Sequence, residues 1–246
     1  MSKVVNEHGS FPAVTLVPPS RSRYLHLAAQ IDSRPPFLPS SAKKHGVLER
    51  CRVACERLRT QPGVLDARVF DAIVVPPGRG ELVRESARGV RDARYDVVVL
   101  VECDERAVGA VRAGATWCAL ERAVRQHASS VHFMEATNVR RIGAVDHERP
   151  GVFLFDYFCA DSVERNLQVW KDTAGWFQAE TGLDNSMVLL PLGREKSEYS
   201  LVNHCRWDSL GAILPSLFLK RSFRKYVLQS FHANNVAAMP VLYRLA

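Results

Sequence analysis

The 246-residue sequence contains no apolar run approaching the roughly 20 residues that cross a bilayer, which excludes a helical membrane span. Its N-terminus carries no basic stretch followed by an apolar segment, so no secretory signal is read and a cytoplasmic location is expected. Six cysteines are present (Cys51, Cys55, Cys103, Cys118, Cys159 and Cys205), yet none forms a CxxC pair or a metal-finger spacing. Neither a disulfide framework nor a zinc module is therefore expected, and reduced thiols are. No His/Asp/Glu cluster has ligand spacing, so no metal is expected. Gly78-Arg79-Gly80 lacks the further glycine and the lysine of a phosphate cradle. The net charge is +7, but its arginines are spread through both halves, without stacking aromatics or zinc ligands beside them. That pattern describes a basic surface and gives no nucleic-acid module; an anionic small molecule would feel the same field. No nucleic-acid partner and no membrane partner are expected.

What is present is ordinary globular composition, 47% hydrophobic and 24% charged, on a chain long enough for one large domain or two small ones. Residues 1–21, broken by Pro12, Pro18 and Pro19, read as a flexible N-terminal arm. Beyond them the order of elements repeats. A strand at 24–31 and a proline-rich loop, Ser33–Ser41, precede a helix near 42–61, with Val47, Cys51, Ala54 and Leu58 at helical spacing. Pro62-Gly63 stops that helix. Strands at 64–75 and 95–103, a helix over 105–128 and a strand at 130–139 complete the first set.

The second set runs the same way. The aromatic-rich strand Val152–Phe158 leads to a helix that opens at Asp161, with Glu164 three residues on as an acidic capping box. Val163, Leu167, Trp170, Ala174 and Phe177 form its apolar face, and Thr181-Gly182 ends it. Strands at 184–191 and 199–207, a helix at 210–232 and a strand at 238–245 follow. Arg94-Tyr95-Asp96-Val97-Val98 lies over Glu198-Tyr199-Ser200-Leu201-Val202, and Asp104 over Asp208. The halves differ at one hairpin: Pro76–Ala93, carrying Arg79, Arg84, Arg88 and Arg91, against the short Gly193–Glu198.

The expected fold is α+β: two tandem ferredoxin-like βαββαβ units, 22–145 and 150–246, closing within one chain into an α+β barrel. A four-stranded sheet with both helices on one side leaves its other face apolar, and two such faces can bury one another. Pairing within one chain avoids the entropy loss of association. A monomer with an internal pseudo-dimer, or a homodimer, is expected. A small molecule would fit between each sheet and its helices.

The segment Tyr199-Ser200-Leu201-Val202-Asn203-His204-Cys205-Arg206-Trp207-Asp208-Ser209, followed by Arg221-Ser222-Phe223-Arg224, resembles the antibiotic-biosynthesis-monooxygenase family, here as a tandem-repeat member. The likeness covers the second half well and the first half only in element order. Members that oxidise anthrone-type polyketides carry Asn and Trp four apart on this strand, as Asn203 and Trp207 stand here. Asn203, Cys205 and Trp207 share one strand face. The resemblance implies an oxygenase acting on a polycyclic aromatic small molecule, with Asn203 and Trp207 holding a phenolic oxygen and steadying the oxyanion left by deprotonation. It further implies no metal or haem, O2 as substrate, and at most reduced flavin as a cosubstrate. The haem-degrading relatives carry a histidine on the helix after the strand Trp, whereas Leu210–Phe231 contains none.

Asp156, within the apolar strand, is the candidate base. Trp170, Trp176, Phe223 and Tyr157 are the candidate substrate-binding residues. Trp176, off the apolar stripe, is expected to roof the cavity. The first half has Val99 and Cys103 where the second has Asn203 and Trp207, so its site is degenerate. Two alternatives accompany this reading: oxidative ring opening assisted by reduced flavin, and a non-catalytic ligand-binding protein on the same fold.

Overall fold

In the structure, a computed structural model, residues 11–76, 90–193 and 197–246 are described. The described residues contain eight strands: β1 Arg23–Gln30, β2 Val64–Val74, β3 Val97–Cys103, β4 Ser130–Gly143, β5 Val152–Ala160, β6 Ser186–Pro191, β7 Leu201–Trp207 and β8 Val236–Leu245. They form one closed antiparallel barrel in the order β1-β3-β2-β8-β5-β7-β6-β4. Within it the first four strands run β4-β1-β3-β2 and the last four β8-β5-β7-β6, the same order twice. Two seams join the halves. Phe70 to Val74 of β2 pair with Leu242 to Leu245 of β8, and Ala136 to Gly143 of β4 pair with Ser186 to Pro191 of β6.

Side chains alternate across a strand, so each strand feeds two cores. Phe153, Phe155 and Tyr157 of β5 point into the barrel, where they meet Phe70, Tyr95, Tyr199 and Tyr243. Leu154 and Phe158 point outward, beneath the helices of the second half. Burial on both faces explains why β5 and β7 read as nearly unbroken apolar runs instead of alternating ones.

The helices cover the outside. Over the first half lie α1 (Ala42–Arg59), α2 (Val108–Ala113) and α3 (Ala115–His127). Over the second lie α4 (Val163–Thr181), α5 (Leu210–Leu219), a π-helix (Phe223–Leu228) and α6 (Gln229–Ala233). Two helices expected as continuous are therefore broken. Gly114, in extended conformation, separates α2 from α3, and Lys220, also extended, ends α5. The cap of α4 is Ser162, whose Oγ accepts from Arg165 N at 3.2 Å, whereas Asp161 reaches across to Asn235. Gly182 closes α4 with a left-handed φ of 69°, a conformation that costs glycine little.

The N-terminal segment lies on the second half from Phe11 onward. Phe11 meets Tyr226 edge to face at 4.7 Å, Val14 is buried, and Val17 N donates to Arg141 O at 3.0 Å. Of the basic hairpin, Arg79, Arg84 and Arg88 lie outside the described residues, as does Gly78-Arg79-Gly80. Arg91 is described and forms an ion pair with Glu198. Among the described residues no helix is long and apolar enough to cross a membrane.

Candidate functional site

In the second half, β5 and β7 run side by side with Asp156 opposite Asn203. Both face outward under α4. There Leu154, Asp156, Trp170, Asn203, Cys205 and Trp207 line a cavity of about 30 Å³. A second cavity of about 40 Å³ adjoins it, sharing Leu154, Asp156, Phe177 and Phe231 and extending to Phe223 of the π-helix. Asp156 therefore borders both.

The amide of Asn203 is held in one orientation. Its Oδ1 accepts from Trp170 Nε1 at 3.0 Å and from Ser186 Oγ at 2.7 Å. A carboxamide oxygen has two lone-pair sites, and with both taken the group is fixed with its NH2 on the other side. That NH2 lies 3.9 Å from the Cys205 sulfur, a weak contact that leaves donor capacity. Burial, and after it the Asp156 carboxylate, push the Cys205 thiol well above its ordinary pKa, so the sulfur stays protonated.

Trp207 lines the same cavity, but its indole N–H is engaged by Thr181 Oγ1 at 2.9 Å. Its ring forms a wall, and Asn203 carries the free donor. The structure thus gathers Asp156, Asn203, Trp207 and Trp170 about one cavity, with Phe223 at the neighbouring one. Two other expected residues stand elsewhere. Tyr157 points into the barrel because it is one residue out of phase with Asp156, and its hydroxyl lies 3.3 Å from His26 Nε2. Trp176 is not the expected roof: it is fully buried, donates to Ser222 Oγ at 3.0 Å and packs on Phe223. Its position off the apolar stripe turns it away from the sheet toward the π-helix.

Ser186 is the contributor that sequence reasoning overlooked. It shares strand parity with Val188, which pairs with Asn203, so alternation along β6 carried the signal. A polar chain inside the barrel was also unforeseen. His204 Nδ1 donates to Leu154 O at 2.9 Å, so its Nε2 accepts from His147 Nε2 at 2.9 Å, and His147 Nδ1 stands 2.8 Å from Asp66. Burial raises the Asp66 carboxyl, but the bond from His147 and the Arg68 charge more than offset it and hold it below its ordinary value. These partners come from β2, the inter-half link and β7, and no local pattern joins them.

No protein-family model matches this chain, and no curated protein does. Solved structures do. An anthrone oxidase-like protein superposes with a TM-score of 0.64 at 11% identity, over 92% of this chain and 91% of that one. A putative monooxygenase from Fusobacterium nucleatum subsp. nucleatum gives 0.56 at 9%, over 91% of each chain. Another from Lactobacillus acidophilus NCFM gives 0.51 at 10%, over 92% and 94%. At such identities the likeness establishes the α+β barrel fold.

A putative chlorite dismutase and a heme-binding protein from Thermus thermophilus also superpose, each at a TM-score of 0.48. Their descriptions run against the expected absence of a resident cofactor. As for haem here, neither second-half cavity is lined by a histidine, and the soft donor present, Cys205, is a raised-pKa thiol. Those linings offer haem no axial ligand.

Proposed function

We propose that the chain is an oxygenase of a polycyclic, phenol-bearing aromatic molecule of polyketide type, serving antibiotic-type biosynthesis, and that it works between the second-half sheet and α4. The observation that carries this reading is the locked amide of Asn203, paired across the strands with Asp156 in a mostly apolar cavity. In this reading Asp156 removes a proton from the substrate. The Asn203 N–H then donates to the oxyanion that forms, strongly because water is excluded there. Trp207 and Trp170 supply flat walls. Trp207 is held by Thr181, so it positions the ring without donating to it.

The two cavities are far smaller than the few hundred Å³ of a typical ligand site, so a substrate of several rings requires their outer wall to move. That wall contains the π-helix, a strained form that recurs at functional sites, and the break at Lys220 gives it a hinge. The repeated strand order supports reading the barrel as two tandem ferredoxin-like units, the first kept as scaffold. A cytoplasmic location, and a monomer with an internal pseudo-dimer or a homodimer, complete the proposal.

The test is conversion of an anthrone to its quinone by the protein as purified, with whatever group it carries, followed by absorbance and product mass. Turnover should fall at least about a hundredfold in Asn203→Ala, the scale of losing an oxyanion donor. Full activity in both Asn203→Ala and Asp156→Asn would refute the site. Tight binding of the anthrone with no conversion would favour the non-catalytic ligand-binding reading.

A further inference from the structure

A far larger opening than these two cavities lies elsewhere in the described structure. A cleft of about 590 Å³ lies between β4 and the turn after β6, and it shares no lining residue with the Asn203 cavity. It exists because the β4–β6 seam ends early. Pairing runs from Gly143 only to Ala136, and Leu192 N donates the bond beyond it, to Glu135 O at 2.7 Å. Gly193 then turns away with φ of 99°. Further along, β4 keeps β1 on one edge, down to Ser130, while its other edge borders the cleft.

At the floor of this cleft stands His132. The residue is 6% exposed, and its Nε2 is buried without a hydrogen-bond partner among the described residues. Tyr199 packs against the ring edge to face at 4.9 Å, and Tyr95 stacks on it at 6.0 Å. Burial pushes the imidazole pKa down to about 4, so it is neutral at pH 7. A buried polar atom left unpaired costs free energy that a ligand or a water can recover.

The surroundings choose between ligands. Met134, on the same face of β4 as His132, and Leu192 offer apolar walls. The nearby charges cancel in pairs: Arg112 with Glu135 at 3.7 Å, Arg125 with Glu121 at 2.7 Å, and Arg91 with Glu198. A cleft with a neutral polar floor and balanced charges favours neither an anion nor a cation. We infer that it binds a small neutral aromatic alcohol, of phenol or naphthol type, with its ring on Met134 and Leu192 and its hydroxyl on His132 Nε2. The volume lies in the range of small-molecule sites, and the inference stands whether or not the Asn203 site is catalytic.

The experiment is titration of the full chain with 1-naphthol, read by its fluorescence and by backbone amide shifts at Val131, Phe133 and Leu192. Saturable binding with shifts at these amides is expected. Affinity should weaken roughly tenfold in His132→Phe, the loss of one hydrogen bond, and be largely lost in Leu192→Trp, which crowds the apolar wall and leaves the imidazole in the sequence. Asn203→Ala should leave it unchanged. No saturable binding, or binding weakened by Asn203→Ala alone, would overturn the site. Binding abolished by Leu192→Trp yet unaltered in His132→Phe would overturn the role of the imidazole. Should His132→Phe fail to fold, Leu192→Trp still decides whether the cleft is the site.

Discussion

The indole of Trp170 donates to the amide oxygen of Asn203 at 3.0 Å, joining the middle of α4 to the middle of β7. With Ser186 as the second donor, this bond decides which face of the amide meets the cavity. The two residues act as one device, and their substitutions should not be additive.

Trp170→Phe keeps a ring in place and removes the N–H. It should cost about 1–2 kcal/mol of stability, since it leaves a buried acceptor with one donor fewer. Turnover should fall about tenfold as the amide gains freedom to flip. In an Asn203→Ala background the same substitution should change turnover little. Urea unfolding and steady-state rates for the four proteins of this cycle measure the coupling, and purely additive losses would contradict the device.

Three histidines inside the barrel set a pH dependence. His26 and His204 are driven well below the ordinary imidazole pKa, chiefly by burial and then by a neighbouring histidine, and burial takes His132 to about 4. Unfolded, each titrates near pH 6.5, so below that pH the unfolded state binds more protons. Their contribution to stability is therefore complete above about pH 6.5 and is lost as the pH falls. Each should contribute about 1.4 kcal/mol per pH unit, His132 only until about pH 4. Urea midpoints between pH 7.5 and roughly 4.5 should show this slope, and His26→Phe should remove about one third of it. A flat profile would mean that the imidazoles are not desolvated.

The barrel was legible because two signals agreed: element order, and the match of Tyr95-to-Val98 with Tyr199-to-Val202. The structure gives that match a physical form, since the Tyr95 and Tyr199 hydroxyls, 104 residues apart, meet at 3.0 Å in the barrel. Strand parity likewise put Asn203, Cys205 and Trp207 on one face, and one cavity holds all three. What parity did not convey was hydrogen-bond partnership. The donor of Trp207 goes to Thr181 at the end of α4, a tertiary contact with no sequence signature. Tyr157 falls inside the barrel and its neighbour Asp156 outside it, and the sequence does not mark which is which because both faces of this strand are buried. The broken helices were missed for a related reason: their breaks at Gly114 and Lys220 lie inside apolar patterns that continue on either side.

Gly175 provides the last test, of how the N-terminal segment is seated. It lies within α4, where glycine ordinarily costs about 1 kcal/mol relative to alanine, so Gly175→Ala should be stabilising on helix propensity alone. Here a β-carbon would fall 2.2 Å from the carbonyl oxygen of Pro12, and the helix cannot yield. The segment must lift instead, and with it the contacts of Phe11 with Tyr226 and of Val14 with the outer core. Gly175→Ala should therefore destabilise by roughly 1–3 kcal/mol and speed proteolysis within residues 11–21. Gly46→Ala on α1, whose β-carbon meets only the flexible end of Arg50 at 3.7 Å, should stabilise by about 0.5–1 kcal/mol. Deleting residues 1–17 should turn the Gly175→Ala penalty into the ordinary alanine gain. If the penalty persists in the shortened chain, Pro12 is not its cause, and the segment does not rest on α4 as described.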